Sequence, residues 1–146
     1  MPIVRAAYFD SSVLLKRYIR ENGSDRAAAL THRHLIISAA IAPLEMRSAL
    51  RRVEAAGGLS TSAFQASLKR IQTERERWDL VAISTEILQS AERLTVDFNI
   101  RSLDAIHLAC AVACQSRLKG QVPFVTADLQ QRYAAQKIGL EIIVIA

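Results

Sequence analysis

Four carboxylates stand where a fold could bring them together. Asp10 ends the mostly apolar run Ile3-Val4-Arg5-Ala6-Ala7-Tyr8-Phe9. Glu45 opens a helical pattern just after Pro43, and Asp104 opens another just after Ser102. Asp128 follows Thr126 by two residues. Each has a plain reading by itself. Asp10 and Asp128 suit helix caps, while Glu45 and Asp104 suit the positive end of a helix, worth roughly a few tenths of a kcal/mol. Together they argue differently. Two unit charges about 4 Å apart repel by roughly 4 kcal/mol at an effective dielectric near 20. A fold that gathers four such groups needs protonation or a cation. Carboxylates without histidine or cysteine among them suit a hard, oxygen-seeking ion, Mg²⁺ or Mn²⁺. Mg²⁺ held by few carboxylates keeps waters that can attack a phosphodiester while the ion neutralises the phosphoryl oxygens.

The elements that must position these acids follow from periodicity and punctuation. Ile3–Phe9 predicts a buried strand feeding a helix from Val13 to Arg20. Glu21-Asn22-Gly23-Ser24 is a turn, with Ser24 capping a helix through about Thr31. Leu35–Ser38 is a second strand. Pro43 fits the first turn of a helix that runs to Ala56, with Met46, Ala49, Leu50 and Val53 on one face. Gly57-Gly58 stops it, and Ser60 or Thr61 caps a partner helix to about Arg77, making an αα-hairpin.

Leu80–Ile83 is the third strand. Ser84 or Thr85 caps a helix with Ile87, Ala91, Leu94 and Phe98 inward, and Ser102 caps another from Leu103 to about Leu118. That last helix is apolar nearly all round and belongs against the sheet. Pro123–Thr126, a helix from Asp128 to Ile138 closed by Gly139, and a strand from Leu140 to Ile145 complete the chain. Alternating strands and helices imply a single domain over residues 1–146: a three-layer α/β/α fold around a parallel sheet of about five strands. Asp10, Glu45 and Asp128 then stand over one edge, since each follows a strand's carboxyl end. Two helices separate strands three and four, so alternation does not set the edge for Asp104.

Composition narrows the class. Half of the 146 residues are hydrophobic, enough for a core, and net charge is +5 with pI near 9.7. Most of the cations are arginine, which favours a polyanionic partner. Arg47, Arg51, Arg52, Lys69, Arg70, Arg75 and Arg77 on the hairpin are candidates to hold phosphates, against the plainer reading of a solvated face. Leu14, Leu15, Tyr18 and Ile19 offer apolar surface to a partner, unless that surface packs internally. Leu35–Leu44 is an uncharged apolar stretch too short for a bilayer, and residues 1–20 show no secretory leader, so the expectation is cytoplasmic, with no membrane. Cys110 and Cys114, four apart, read as small buried hydrophobes. With His107 they would need a fourth ligand to hold zinc, and none is evident.

Four segments in order carry a resemblance. They are Tyr8-Phe9-Asp10-Ser11-Ser12-Val13-Leu14-Leu15-Lys16-Arg17-Tyr18, Leu44-Glu45-Met46-Arg47-Ser48-Ala49-Leu50, Leu103-Asp104-Ala105-Ile106-His107-Leu108-Ala109 and Phe124-Val125-Thr126-Ala127-Asp128. The chain resembles a PIN domain of the VapC toxin type along nearly its whole length. The resemblance implies a metal-dependent endoribonuclease, the toxin of a type II toxin–antitoxin pair, with an antitoxin partner and a homodimeric assembly. It carries Asp10, Glu45, Asp104 and Asp128 over as catalytic, metal-site acids, with Ser12 and Thr126 supporting them by hydrogen bonds. His107 matches the family's Asp-Ala-x-His pattern, where packing is the expected role. Leu129, Gln130 and Gln131 stand where some relatives have a further acid. The rival within this fold is a non-catalytic RNA- or protein-binding module. A receiver domain or haloacid-type phosphatase fits poorly: no lysine follows Asp128, and Ser12 stands where a second aspartate would be needed.

Overall fold

Side chains alternate across the first strand, and that alternation sets the two layers packed on it. A computed structural model describes residues 5–118 and 121–145. Strand β1 spans Arg5–Phe9; the predicted Ile3 and Val4 lie outside the described residues. Ala7 and Phe9 join one core with Val13, Leu14, Leu30, Met46, Leu50, Phe64 and Ile71. Tyr8 points into the other, with Ile37, Ile87, Ala91, Leu108, Cys110, Cys114, Phe124 and Ala134. Helices α1 (Ser11–Leu15), α2 (Ser24–Arg33), α3 (Ala42–Ala55) and α4 (Thr61–Glu74) therefore cover the first face. Helices α5 (Thr85–Asp97), α6 (Ser102–Leu118) and α7 (Leu129–Lys137) cover the second. With β2 (His34–Ala39), β3 (Asp79–Val81), β4 (Phe124–Thr126) and β5 (Ile142–Val144), the sheet has five parallel strands in the order β3-β2-β1-β4-β5. This is the three-layer α/β/α architecture expected.

The order matters for the site. Connections from β1 outward to β2 and β3 use the first face, and those through β4 to β5 use the second. The winding reverses between β1 and β4, which leaves a crevice at their carboxyl ends. Asp10 and Asp128 are the residues that leave those two strands.

Three local expectations change. The helix after β1 stops at Leu15, because the amides of Lys16, Arg17 and Tyr18 bond three residues back and tighten the chain into turns. Tyr18 is thereby buried against the core, where its hydroxyl donates to Glu74 Oε2 at 2.6 Å. Ser24 is the first residue of α2 rather than its cap. Its hydroxyl accepts the Glu21 amide and donates to the Ile19 carbonyl, so it ties down the preceding turn. The hairpin's second helix ends at Glu74, followed by a single 3₁₀ turn over Arg75–Arg77. Ser60 and Ser84 cap α4 and α5 as expected, and Gly57 closes α3 at φ 85°, a conformation that suits glycine.

The apolar residues offered to a partner are spoken for inside this chain. Leu14 and Tyr18 are buried, and Leu15 and Ile19 pack on the first core. Exposed leucines lie elsewhere: Leu44, Leu103 and Leu129 are 70, 48 and 70% exposed, each beside one of the four acids. Both cysteines are free and buried in the second core, where burial pushes the Cys110 thiol up to about 12. Among the described residues no helix is long and apolar enough to cross a membrane.

Candidate metal centre and active site

Asp10 is the anchor of the site because its surroundings leave it little freedom. It is 2% exposed, and its Oδ1 takes the amides of Ser12 and Val13 at 2.9 and 3.2 Å as the cap of α1. The Ser12 hydroxyl donates to the same oxygen. Its Oδ2 takes the hydroxyl of Thr126 at 2.5 Å. Thr126 in turn accepts the Asp128 amide at 3.0 Å, so one buried threonine links the acids that leave β1 and β4. Asp128 caps α7, its Oδ1 accepting the amides of Gln130 and Gln131 at 2.7 and 3.2 Å. The plain capping role and the site role thus coexist in both residues.

Asp104 belongs to the same edge, the point that alternation alone leaves open. It lines one cavity of about 260 Å³ together with Asp10, Ser12, Asp128 and Gln131. An adjoining cavity of about 620 Å³ is lined by Glu45, Arg101, Ser102, Leu103, Asp104, Asp128 and Gln130. The four acids therefore border two neighbouring hollows, with Asp104 and Asp128 common to both, Asp10 in the first and Glu45 in the second. Burial raises the Asp104 carboxyl above its ordinary range, and the charges of Asp128 and Asp10 push the same way. The amide of Gln131 and the nearby His107 oppose the rise.

Two further residues are set into the site. Gln131 is 2% exposed and donates from Nε2 to Asp104 Oδ1 at 2.6 Å, while its Oε1 lies 3.4 Å from the Thr126 hydroxyl. Its position in the first turn after Asp128 was the available signal, but a glutamine there reads as ordinary helix surface. His107 is buried, as a packing role requires, yet its Nε2 is 2.7 Å from Glu45 Oε1. It lies one turn after Asp104 on α6.

The donor set suits a hard ion held partly through water. Carboxylates, hydroxyls and amides line the smaller cavity, and neither an imidazole nor a thiol does. Among the described residues no three acidic, imidazole or thiol groups close tightly around one point. Asp10, Asp104 and Asp128 line a hollow of about 260 Å³ instead.

Two of the hairpin cations pair with carboxylates, while Lys69, Arg75 and Arg77 form no ion pair among the described residues. Arg51 pairs with Glu54 and Arg70 with Glu74, while Arg47 and Arg52 bond Gln72 and Ser48 within the same hairpin. Arg101, just before α6, is the only cation among the residues lining the two acidic cavities, and no carboxylate pairs with it among the described residues.

Comparison with known proteins identifies the family. A sequence model of the PIN domain matches residues 7–137. The chain belongs to the PIN domain family. It is 34% identical over 140 residues to Ribonuclease VapC46 of Mycobacterium tuberculosis, covering 94% of this chain and 96% of that protein. FitAcB from Neisseria gonorrhoeae shares the fold at a TM-score of 0.70 and 13% identity, over 94% of this chain and 96% of that one. A toxin–antitoxin complex from Klebsiella pneumoniae matches at 0.63 and 16%, over 95 and 97% of the two chains.

Proposed function

We propose that this PIN-domain chain, one domain over residues 1–146, is an endoribonuclease that hydrolyses RNA phosphodiester bonds with Mg²⁺ or Mn²⁺, as the cytoplasmic toxin of a type II toxin–antitoxin pair. The observation that carries the reading is the buried Thr126 that ties Asp10 to Asp128 beside a half-buried Asp104. Like charges held this close create a field that a divalent ion relieves. The likeness to Ribonuclease VapC46 over nearly the full length of both chains supports the reaction.

Asp10, Asp104 and Asp128 are the residues to hold the ion, directly or through its waters, with Ser12, Thr126 and Gln131 fixing their carboxylates. When bound, the ion supplies charge neutralisation at the phosphoryl oxygens and a more acidic attacking water. Glu45, in the adjoining hollow, orients that water. Arg101 holds a neighbouring backbone phosphate, a task the acids cannot perform and one that suits guanidinium. One or two ions fit the same acids. The antitoxin partner is supported by the likeness to the Klebsiella complex, and a homodimer is the expected assembly.

Purified protein incubated with RNA and Mg²⁺ or Mn²⁺, beside the same reaction in excess chelator and beside Asp10→Asn, tests the proposal. Cleavage confined to wild type with metal is expected. Products that persist in chelator, or appear equally with Asp10→Asn, contradict it. Binding of RNA with no products at all would instead favour the non-catalytic module.

A further inference from the structure

His107 of α6 links its own helix to α3 and β1 through side-chain contacts. It is 1% exposed on α6, and both ring nitrogens are engaged. Nε2 lies 2.7 Å from Glu45 Oε1 at the head of α3, and Nδ1 lies 2.7 Å from the Tyr8 hydroxyl of β1. Tyr8 is itself fully buried, stacked on Phe124 with ring centroids 5.7 Å apart and edge-on to His107. A chain of polar groups thus runs from the middle of the sheet to an acid of the cleft.

Each of the two contacts pairs a ring nitrogen with an oxygen at hydrogen-bond distance, so the ring is held from both ends. A ring bonded at both nitrogens and packed in the core has one orientation. Glu45, only partly exposed, is then fixed at Oε1, while Oε2 takes no hydrogen bond among the described residues and the side chain lines the cavity shared with Asp104 and Asp128. A free glutamate at a helix head has three rotatable bonds to freeze, and the locked ring removes that freedom before substrate arrives.

We infer that His107, held between Tyr8 and Glu45 through its two ring nitrogens, is the positioning residue for Glu45. The inference rests on the nuclease reading for its activity test but not for its structural one. ¹⁵N NMR of the imidazole is expected to show an Nε2 resonance that moves in Glu45→Gln and an Nδ1 resonance that moves in Tyr8→Phe. Resonances that ignore both substitutions overturn the relay. Two substitutions separate positioning from packing: glutamine can present an N–H where Nε2 stood, whereas asparagine reaches only the Nδ1 position. His107→Asn is expected to lower kcat by about 10–100-fold with KM nearly unchanged, and His107→Gln to recover most of that loss. Equal losses in both, tracking a common fall in Tm, overturn the inference. If wild type cleaves no RNA, the nuclease reading fails on its own, and the NMR result still decides the relay.

Discussion

The basic side of the molecule and the acidic edge of its sheet handle charge in opposite ways. Around the turns after α1 and along the hairpin, Lys16 pairs with Glu21, Arg17 and Arg70 with Glu74, Arg20 with Asp25, and Arg51 with Glu54. At the strand ends, Asp10, Asp104 and Asp128 share a hollow with no cation among its lining residues. A net charge of +5 suggests a polyanion as partner but does not say where it binds. Of the seven hairpin cations only Arg51 and Arg70 pair with a carboxylate among the described residues, and exposed pairs contribute only about 0–1 kcal/mol each to stability. The acidic edge gathers carboxylates instead, and Arg101 is the cation placed beside it.

That contrast can be broken first at Thr126. Thr126→Val keeps the shape but removes the hydroxyl that serves both Asp10 and the Asp128 amide. Stability by urea unfolding is expected to fall by about 1–3 kcal/mol for the buried groups left unpaired, and cleavage by about 10–100-fold as two acids lose their support. Unchanged cleavage in a folded variant would mean that the threonine is only packing.

Arg101 sharpens the comparison from the other side. Arg101→Gln is expected to raise KM for RNA while leaving kcat close to wild type. The slope of log affinity against log salt should shrink by about 0.7, the share of the one phosphate that Arg101 neutralises. Arg101→Lys should restore most of the slope, since it keeps the charge. A slope identical to wild type in the glutamine variant removes Arg101 from the substrate path.

A smaller effect is expected from pH. The Asp104 carboxyl is raised in the folded protein, so between its unfolded and folded pKa values the native state binds more protons than the unfolded one. Stability of the metal-free protein from this group therefore falls as pH rises through that window. Asp104→Asn should flatten that part of the pH profile and slightly raise Tm at neutral pH without metal, as read by thermal melts in chelator. The smallest effect belongs to the basic side: Arg20→Gln and Arg51→Gln should leave Tm and the salt slope of RNA affinity close to wild type. A clear loss of RNA affinity in either would restore the hairpin side as the binding face.

Much of this arrangement is written in local sequence. The Phe9–Asp10 and Thr126–Asp128 breaks are strand ends followed by helix caps, so periodicity and capping chemistry together locate two acids at one edge. Glu45 follows in the same way from Pro43. Asp104 could not be located like this, because the α5–α6 pair hides the direction of approach and only packing against the sheet settles it. Tyr18 shows the opposite failure. Its helical spacing is good, yet the amides of Lys16, Arg17 and Tyr18 bond three residues back and α1 ends at Leu15, which turns the ring into the core. Gln131 and His107 were hidden for a shared reason: each acts on a residue distant in sequence, 27 positions away for Gln131 and 62 for His107. The pairing of the hairpin arginines was equally invisible, since composition counts charges and not their partners.

Binding of Mn²⁺ to the isolated protein, followed by electron paramagnetic resonance, tests most directly whether the acidic edge is built for a divalent ion. Wild type and Arg51→Gln should bind the ion alike, and Asp10→Asn and Asp104→Asn should lose most of that binding while keeping their fold by circular dichroism. Manganese that stays free in solution with wild type, or binds equally well after either aspartate is replaced, would contradict the account.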